Sequence, residues 1–336
     1  MPPSSKITQD GAVTIVESPS YSIRSRILYF VLRTFYSILV THLLSKPTPS
    51  GHQPASAVPK SLHKRFTIKK REFYDWSVYD ISLKPHKSKG GNGGTSDGKE
   101  SSEIKRRMMY IPGTGFVIPA SSEHFKFVTK AFVEGVNAVV TVVLHPLAPK
   151  NTVLEVYPKF FELYEQLAAS LPVDGELDIG GDSSGGGISL SIVQHLREKG
   201  IRLPNRLFMM APSVDFVQPK EEDMKYVSKL DPLQTVDESH SDHVKWVADT
   251  MKLEDPRISP IRGNFDVLRD IKIVGLVGTY DILEPDCRRL VEKLKEQGIR
   301  AEWLFGEKMV HCWPLMHIYQ IPESKQAVTW IIEKMK

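Results

Sequence analysis

The chain has 336 residues, 41% of them apolar, enough to bury a substantial core in one elaborated α/β domain or two small ones. A net charge of +4, with basic residues interleaved among acidic ones, gives no footprint for nucleic acid. Two cysteines, Cys287 and Cys312, exclude a disulfide framework and fit a reducing compartment, and no ligand spacing points to a metal or a cofactor.

Residues 1–60 are expected to stand apart from a main domain at 61–336. Residues 1–20 are polar and rich in Pro and Ser, the composition of a disordered tail. The run 27–44 is strongly apolar and near the minimum length for spanning a bilayer. Arg33 inside it would cost about 2.5 to 3.5 kcal/mol at a membrane centre on insertion scales. The run starts late and lacks a small-residue cleavage pattern, so a secreted protein is not expected. The location is cytoplasmic or on an intracellular membrane, with 27–44 as the segment that would associate. A Pro/Ser-rich linker follows at 46–60.

Residues 65–69 and 76–83 alternate like antiparallel strands. The Gly-rich stretch 86–103 reads as a flexible surface loop, because no helix start or Lys-Ser/Thr pair follows at phosphate-loop spacing. At 108–111 an apolar strand runs into Pro112-Gly113-Thr114-Gly115, and a helix starts near Ser121.

The strand at 175–179 leads into Gly181-Asp182-Ser183-Ser184-Gly185, a single Gly-x-Ser-x-Gly frame, and then into a helix ending near Gly200. Glycines at 181 and 185 let a strand fold sharply into a helix, placing Ser183 at an exposed apex as a candidate nucleophile. The bland alternative is a Gly-Ser loop between a buried strand and a buried helix. His195, inside that helix, reads as a surface residue.

A strand at 206–210 precedes a long insertion, 215–269, with Val244, Trp246, Val247 and Met251 at helical spacing; it is expected to form helices over the pocket. His240 and His243 lie among acidic residues there and read as a solvated face. The apolar strand 271–278 ends just before Asp281, a helix spans 285–298, a strand 300–305, and a loop presents His311. Ser183, Asp281 and His311 therefore occur in the order serine, acid, histidine, with both partners just past strand ends, where open α/β sheets place their chemistry. His317 competes with His311, and Asp281 has an alternative reading as a helix N-cap; Asp286 reads as a cap or support residue. The amides of Gly113, Thr114 and Ser184 would form an oxyanion hole.

These motifs resemble the α/β-hydrolase fold-3 family, hormone-sensitive-lipase-like branch. That family carries His-Gly-Gly-Gly, Gly-Asp-Ser-Ala-Gly-Gly, Asp-Pro-Leu and a late His. The matching stretches are Pro112-Gly113-Thr114-Gly115, Gly181-Asp182-Ser183-Ser184-Gly185-Gly186, Asp281-Ile282-Leu283 and Val310-His311. The resemblance covers roughly 105–335 and implies a mostly parallel sheet flanked by helices, with a helical cap to which the 27–44 helix could belong. It also implies a carboxylic ester substrate of small or medium acyl length, including acetylated lipophilic alcohols. Pro112 and Thr114 depart from the family pattern: proline cannot offer the histidine's hydrogen bonds, so the loop must be held differently. Three alternatives stay open: amide or lactone hydrolysis, acyl transfer, and a catalytically impaired binding protein.

Overall fold

The computed structural model describes residues 5–18, 21–39, 51, 53, 58–85, 104–217 and 221–336. Its strands are β1 (Lys6–Asp10), β2 (Val13–Ser18), β3 (Phe66–Phe73), β4 (Trp76–Leu83), β5 (Arg106–Ile111), β6 (Val139–Leu144), β7 (Glu176–Asp182), β8 (Arg206–Met210), β9 (Lys272–Gly278) and β10 (Ala301–Gly306). Its helices are α1 (Ile23–Leu39), α2 (Ser122–Val128), α3 (Val153–Ala169), α4 (Ser184–Leu196), α5 (Glu221–Ser228), α6 (Val236–Val247), α7 (Glu284–Glu296) and α8 (Pro322–Met335). Among the described residues the strands form one sheet in the order β1-β2-β10-β9-β8-β7-β5-β6-β4-β3.

Neighbours from β2 through β10, β9, β8, β7 and β5 to β6 are parallel; β1, β4 and β3 add antiparallel edges. The central strands are mostly apolar and buried along all but their first residues, as a sheet covered by helices on both faces requires. Among the flanking helices α3 packs against α4, and α1 against α8. Local signals set the helix starts. Thr152 and Glu155 form a capping box at α3, with the Thr152 N–H donating to the Glu155 carboxylate at 2.8 Å, and Thr235 and Glu238 do the same at α6.

From β5 the chain moves to β6 on one side, then crosses back to β7 on the other, so the direction of winding reverses between β5 and β7. A crevice opens at such a reversal, outside the carboxyl ends of the strands. The parallel register puts Ile111 opposite Gly181, Asp182 opposite Met210 and Gly278 opposite Gly306, so the loops after β5, β7, β9 and β10 all leave from one edge.

The amino-terminal segment differs from expectation. Instead of a disordered tail, residues 6–18 form a hairpin turning at Gly11, with φ of +59°, and β2 runs parallel to β10 with Val13 and Val16 buried. This segment therefore extends the same sheet instead of standing apart from it. The apolar run forms α1, beginning at Ile23, and residues 40–44 of that run lie outside the described residues, as do loop 86–103 and most of the 46–60 linker. Within that linker, Gln53 is buried, donating to the His145 carbonyl and accepting from the Ala120 N–H. Among the described residues no helix is long and apolar enough to cross a membrane.

Candidate active site

The turn from β7 into α4 holds Ser183 at φ +52° and ψ −125°. A β-carbon at this positive φ is strained by about 1–3 kcal/mol, so the surroundings must over-determine the turn. They do: the Ser183 N–H donates to the Met210 carbonyl at 2.8 Å, and its carbonyl accepts from Ser213 and Gly186 at 3.0 Å. Gly181 and Gly185 both face the Ile111 carbonyl so closely that a β-carbon on either would land on it. Those two glycines thus permit the close approach of β5 that the turn needs.

Beyond β9 and β10, two loops are zipped together by Thr279 N–H to Gly306 O at 2.9 Å, Tyr280 N–H to Met309 O at 3.0 Å and Lys308 N–H to Thr279 Oγ1 at 2.8 Å. This zipper brings His311 Nδ1 to 2.8 Å from Asp281 Oδ2, while Asp281 Oδ1 accepts the Leu283 N–H at 2.9 Å. Asp281 is fully buried. Burial pushes the His311 pKa down, but the Asp281 carboxylate outweighs it and holds the imidazole well above the usual histidine value. His317 is elsewhere, its Nδ1 on the Pro314 carbonyl and its ring beside Phe127.

His311 Nε2 contacts Cys312 Sγ at 3.4 Å, and among the described residues Ser183 Oγ has no hydrogen bond to it. Burial pushes the Cys312 thiol up to about 12, so it stays protonated. A thiol of that kind is a packing group and not a second nucleophile.

Asp182, immediately before Ser183, is the residue that answers the Pro112 departure. It accepts from Tyr110 OH at 2.6 Å and from His124 Nε2 at 3.1 Å, and Gly113 lies so close to it that a β-carbon there would land on Asp182 Oδ2. The Ser121 N–H donates to His124 Nδ1 at 3.0 Å, which assigns the ring proton to Nε2. Burial would raise the Asp182 pKa; His124 and these hydrogen bonds reverse that and hold it below the ordinary carboxylate value. The buried anion thereby clamps the loop after β5 onto the turn at Ser183.

Gly113 of the expected oxyanion hole lies beside Asp182 and Ser183. The Thr114 N–H donates to Ser184 Oγ at 3.0 Å. Gly115 follows at φ +50°, its N–H meeting no acceptor among the described residues, and Ser184 opens α4, where backbone N–H groups have no acceptor within the helix. Gly113, beside Ser183, and Thr114 and Ser184, bonded to each other, are the amides expected to form the hole.

The expected cap is present as α5 and α6 and is fastened at both sides of the site. Phe116 stacks on Trp246 at 5.0 Å, and His243 stacks on Phe216 at 3.8 Å and meets Ser213 Oγ at 3.2 Å. His243 is buried, against the solvated reading, because those rings enclose it; burial pushes its pKa down to about 3. On the other side Asp231 reaches in from the cap, its Oδ2 accepting the Ile282 N–H at 2.9 Å. Burial, with the Asp281 charge beside it, pushes the Asp231 carboxyl up to about 7. Sequence patterning gave no warning of Asp231 or His124, since both act on residues more than fifty positions away.

A family model described as alpha/beta hydrolase fold matches residues 108–315. An esterase of Acinetobacter venetianus is 23% identical over 253 residues, covering 75% of this chain and 81% of that protein. An acetyl-hydrolase of Streptomyces hygroscopicus is 23% identical over 226 residues, covering 66% and 73%. Among solved structures, an esterase from the bacterial hormone-sensitive lipase family superposes with a TM-score of 0.68 at 19% identity, covering 94% of this chain and 91% of that one. An esterase/lipase from an uncultured bacterium gives 0.71 at 18% identity, covering 94% and 98%. With its sheet order, its strand-turn-helix at Ser183 and a family model spanning more than half its length, the chain belongs to the alpha/beta hydrolase family.

Proposed function

We propose that the protein is a serine hydrolase of carboxylic esters, with Ser183 as nucleophile, His311 as general base and acid, and Asp281 as the residue that orients and stabilises the imidazole. The observation that carries this reading is the pairing of His311 with Asp281 at 2.8 Å on the sheet edge that also presents Ser183 at its strained apex. Ser183 Oγ attacks the ester carbonyl carbon as its proton passes to His311 Nε2, and Asp281 stabilises the resulting imidazolium. The negative oxygen is met by the amides of Gly113, Thr114 and Ser184. The alcohol leaves with the proton from Nε2, and water, deprotonated by the same nitrogen, releases the acid from Ser183. Nε2 must turn from Cys312 toward Ser183 as substrate binds, a tightening that unliganded hydrolases commonly require.

The names of the Acinetobacter and Streptomyces relatives support ester substrates, the second a short acyl group. We read the preferred substrate as a small or medium acyl ester of a lipophilic alcohol, held under the cap. A panel of p-nitrophenyl acetate, butyrate and decanoate, with matched anilides and lactones, tests this. Hydrolysis of the short esters, lost in Ser183→Ala, is expected. Cleavage of anilides or lactones but not esters, or undiminished turnover by the variant, would overturn it.

A further inference from the structure

Helix α1 is two-faced in an unusual way. Its inner face is bound to the protein: Ser25 is buried and donates to the Glu323 carboxylate at 2.7 Å, and Tyr29 OH donates to the Leu230 carbonyl at 2.9 Å. The Tyr29 ring lies 5.4 Å from that of Tyr280, and Leu28 and Tyr29 line a crevice with Met309 and Val310. So this face rests on the two loops that carry Asp281 and His311. The outer face is apolar and uncovered, with Ile23 73%, Ile27 58%, Phe30 66%, Val31 44% and Phe35 53% exposed. An open groove of about 260 Å³ between Ile27, Val31 and Tyr319 continues this surface. Soluble surfaces rarely keep so many large apolar groups in one patch without a partner.

The charges say what the partner is. The helix contains three arginines and no acidic residue. At 3.6 residues per turn, Ile23, Ile27, Phe30 and Val31 share one arc, with Arg24 on one flank and Arg26 and Arg33 on the other. Arg24 and Arg33 donate to the carbonyls of Gln320 and Lys229 at 2.9 and 2.6 Å, and among the described residues none of the three is ion-paired. A second copy docking face to face would oppose arginines with arginines. An apolar stripe between cationic flanks instead fits an interface that is apolar inside and anionic at its edge. We infer that α1 lies in the plane of an anionic phospholipid surface, with Ile23, Ile27, Phe30 and Val31 in the acyl boundary and Arg24, Arg26 and Arg33 at the headgroups. This docking does not depend on the esterase reading. Its consequence does: with that reading, the triad loops sit directly beneath the docked helix, and the substrates are esters dissolved in the bilayer.

The test is co-sedimentation of the full chain with vesicles of phosphatidylcholine alone or with phosphatidylserine, beside an Ile27→Asp/Phe30→Asp variant and an Arg24→Gln/Arg26→Gln variant. Binding to the anionic vesicles, falling with salt, at least tenfold weaker in the first variant and weaker in the second, is expected. Turnover of soluble p-nitrophenyl acetate should be unchanged in the first, which reports that it is folded. Wild-type protein that ignores anionic vesicles, or binding that survives Ile27→Asp/Phe30→Asp, would overturn the inference. So would a dimer in sedimentation velocity that this variant converts to monomer, since the face would then belong to a second copy. Vesicle binding by a protein without ester turnover would leave the docking intact and remove the esterase reading alone.

Discussion

The two sides of the catalytic edge are prepared to different degrees. On the side of β9 and β10, paired loops hold His311 on Asp281 with no competing partner at Nδ1. On the side of β5, one of the amides that would receive the oxyanion is occupied by the protein itself, the Thr114 N–H by Ser184 Oγ. In the proposed reading His311 is already oriented by Asp281, though its Nε2 still has to leave Cys312, and the oxyanion site must exchange one internal hydrogen bond for the substrate oxygen. Pro112 and Thr114, which looked like damage to a family motif, mark a loop held by an anion instead of by histidine and glycine.

The largest effect should come from the prepared side. Asp281→Asn leaves the ring without its charge partner and favours the wrong tautomer, so kcat should fall on the order of 10⁴-fold with little change in KM. A fall of only a few-fold would mean that another group orients His311. Next, Tyr110→Phe removes a 2.6 Å hydrogen bond to the buried Asp182 carboxylate, and urea unfolding should register a loss of about 1.5–3 kcal/mol. An unchanged midpoint would show that Asp182 is not the clamp.

The occupied side should respond in the opposite direction. Ser184→Ala frees the Thr114 N–H, and since a single net hydrogen bond is worth roughly 0.5–1.5 kcal/mol, a two- to tenfold gain in kcat is expected, about that energy expressed as a rate. A loss of activity would mean that Ser184 Oγ supports the loop more than it blocks it. The smallest effect concerns pH. His311 must be neutral to accept a proton, so kcat/KM rises with pH through its ionisation, and Asp281 places that limb above the ordinary histidine value of 6.5. Once ionised, above about pH 7, Asp231 adds a second negative charge near the imidazolium. Asp231→Asn should therefore move the limb toward acid; a limb that stays put would exclude Asp231 from the site's electrostatics.

What could be read from the sequence follows from distance along the chain. The sharp turn at Ser183 was legible because strand, Gly181, Ser183, Gly185 and helix are contiguous, and each glycine answers a local steric demand. The sheet was legible for a related reason: β8 and β9 are uninterrupted apolar runs bounded by turn residues. The hairpin β1-β2 was not, although Asp10-Gly11 is a hairpin signal, because only Val13 and Val16 are buried and its partner β10 lies almost three hundred residues away. The orienting groups were hidden in the same way. His124 reaches Asp182, and Asp231 reaches Ile282, only once the sheet has closed, and no local pattern distinguishes them from an ordinary helix histidine or loop aspartate.

The central claim is that Ser183 is an activated nucleophile. Treating the folded protein and its Ser183→Ala variant with a fluorophosphonate probe, and locating the adduct by mass spectrometry, tests it most directly. The account predicts a single adduct on Ser183, absent from the variant. A folded protein that takes up no probe, or carries it equally in the variant, would contradict it.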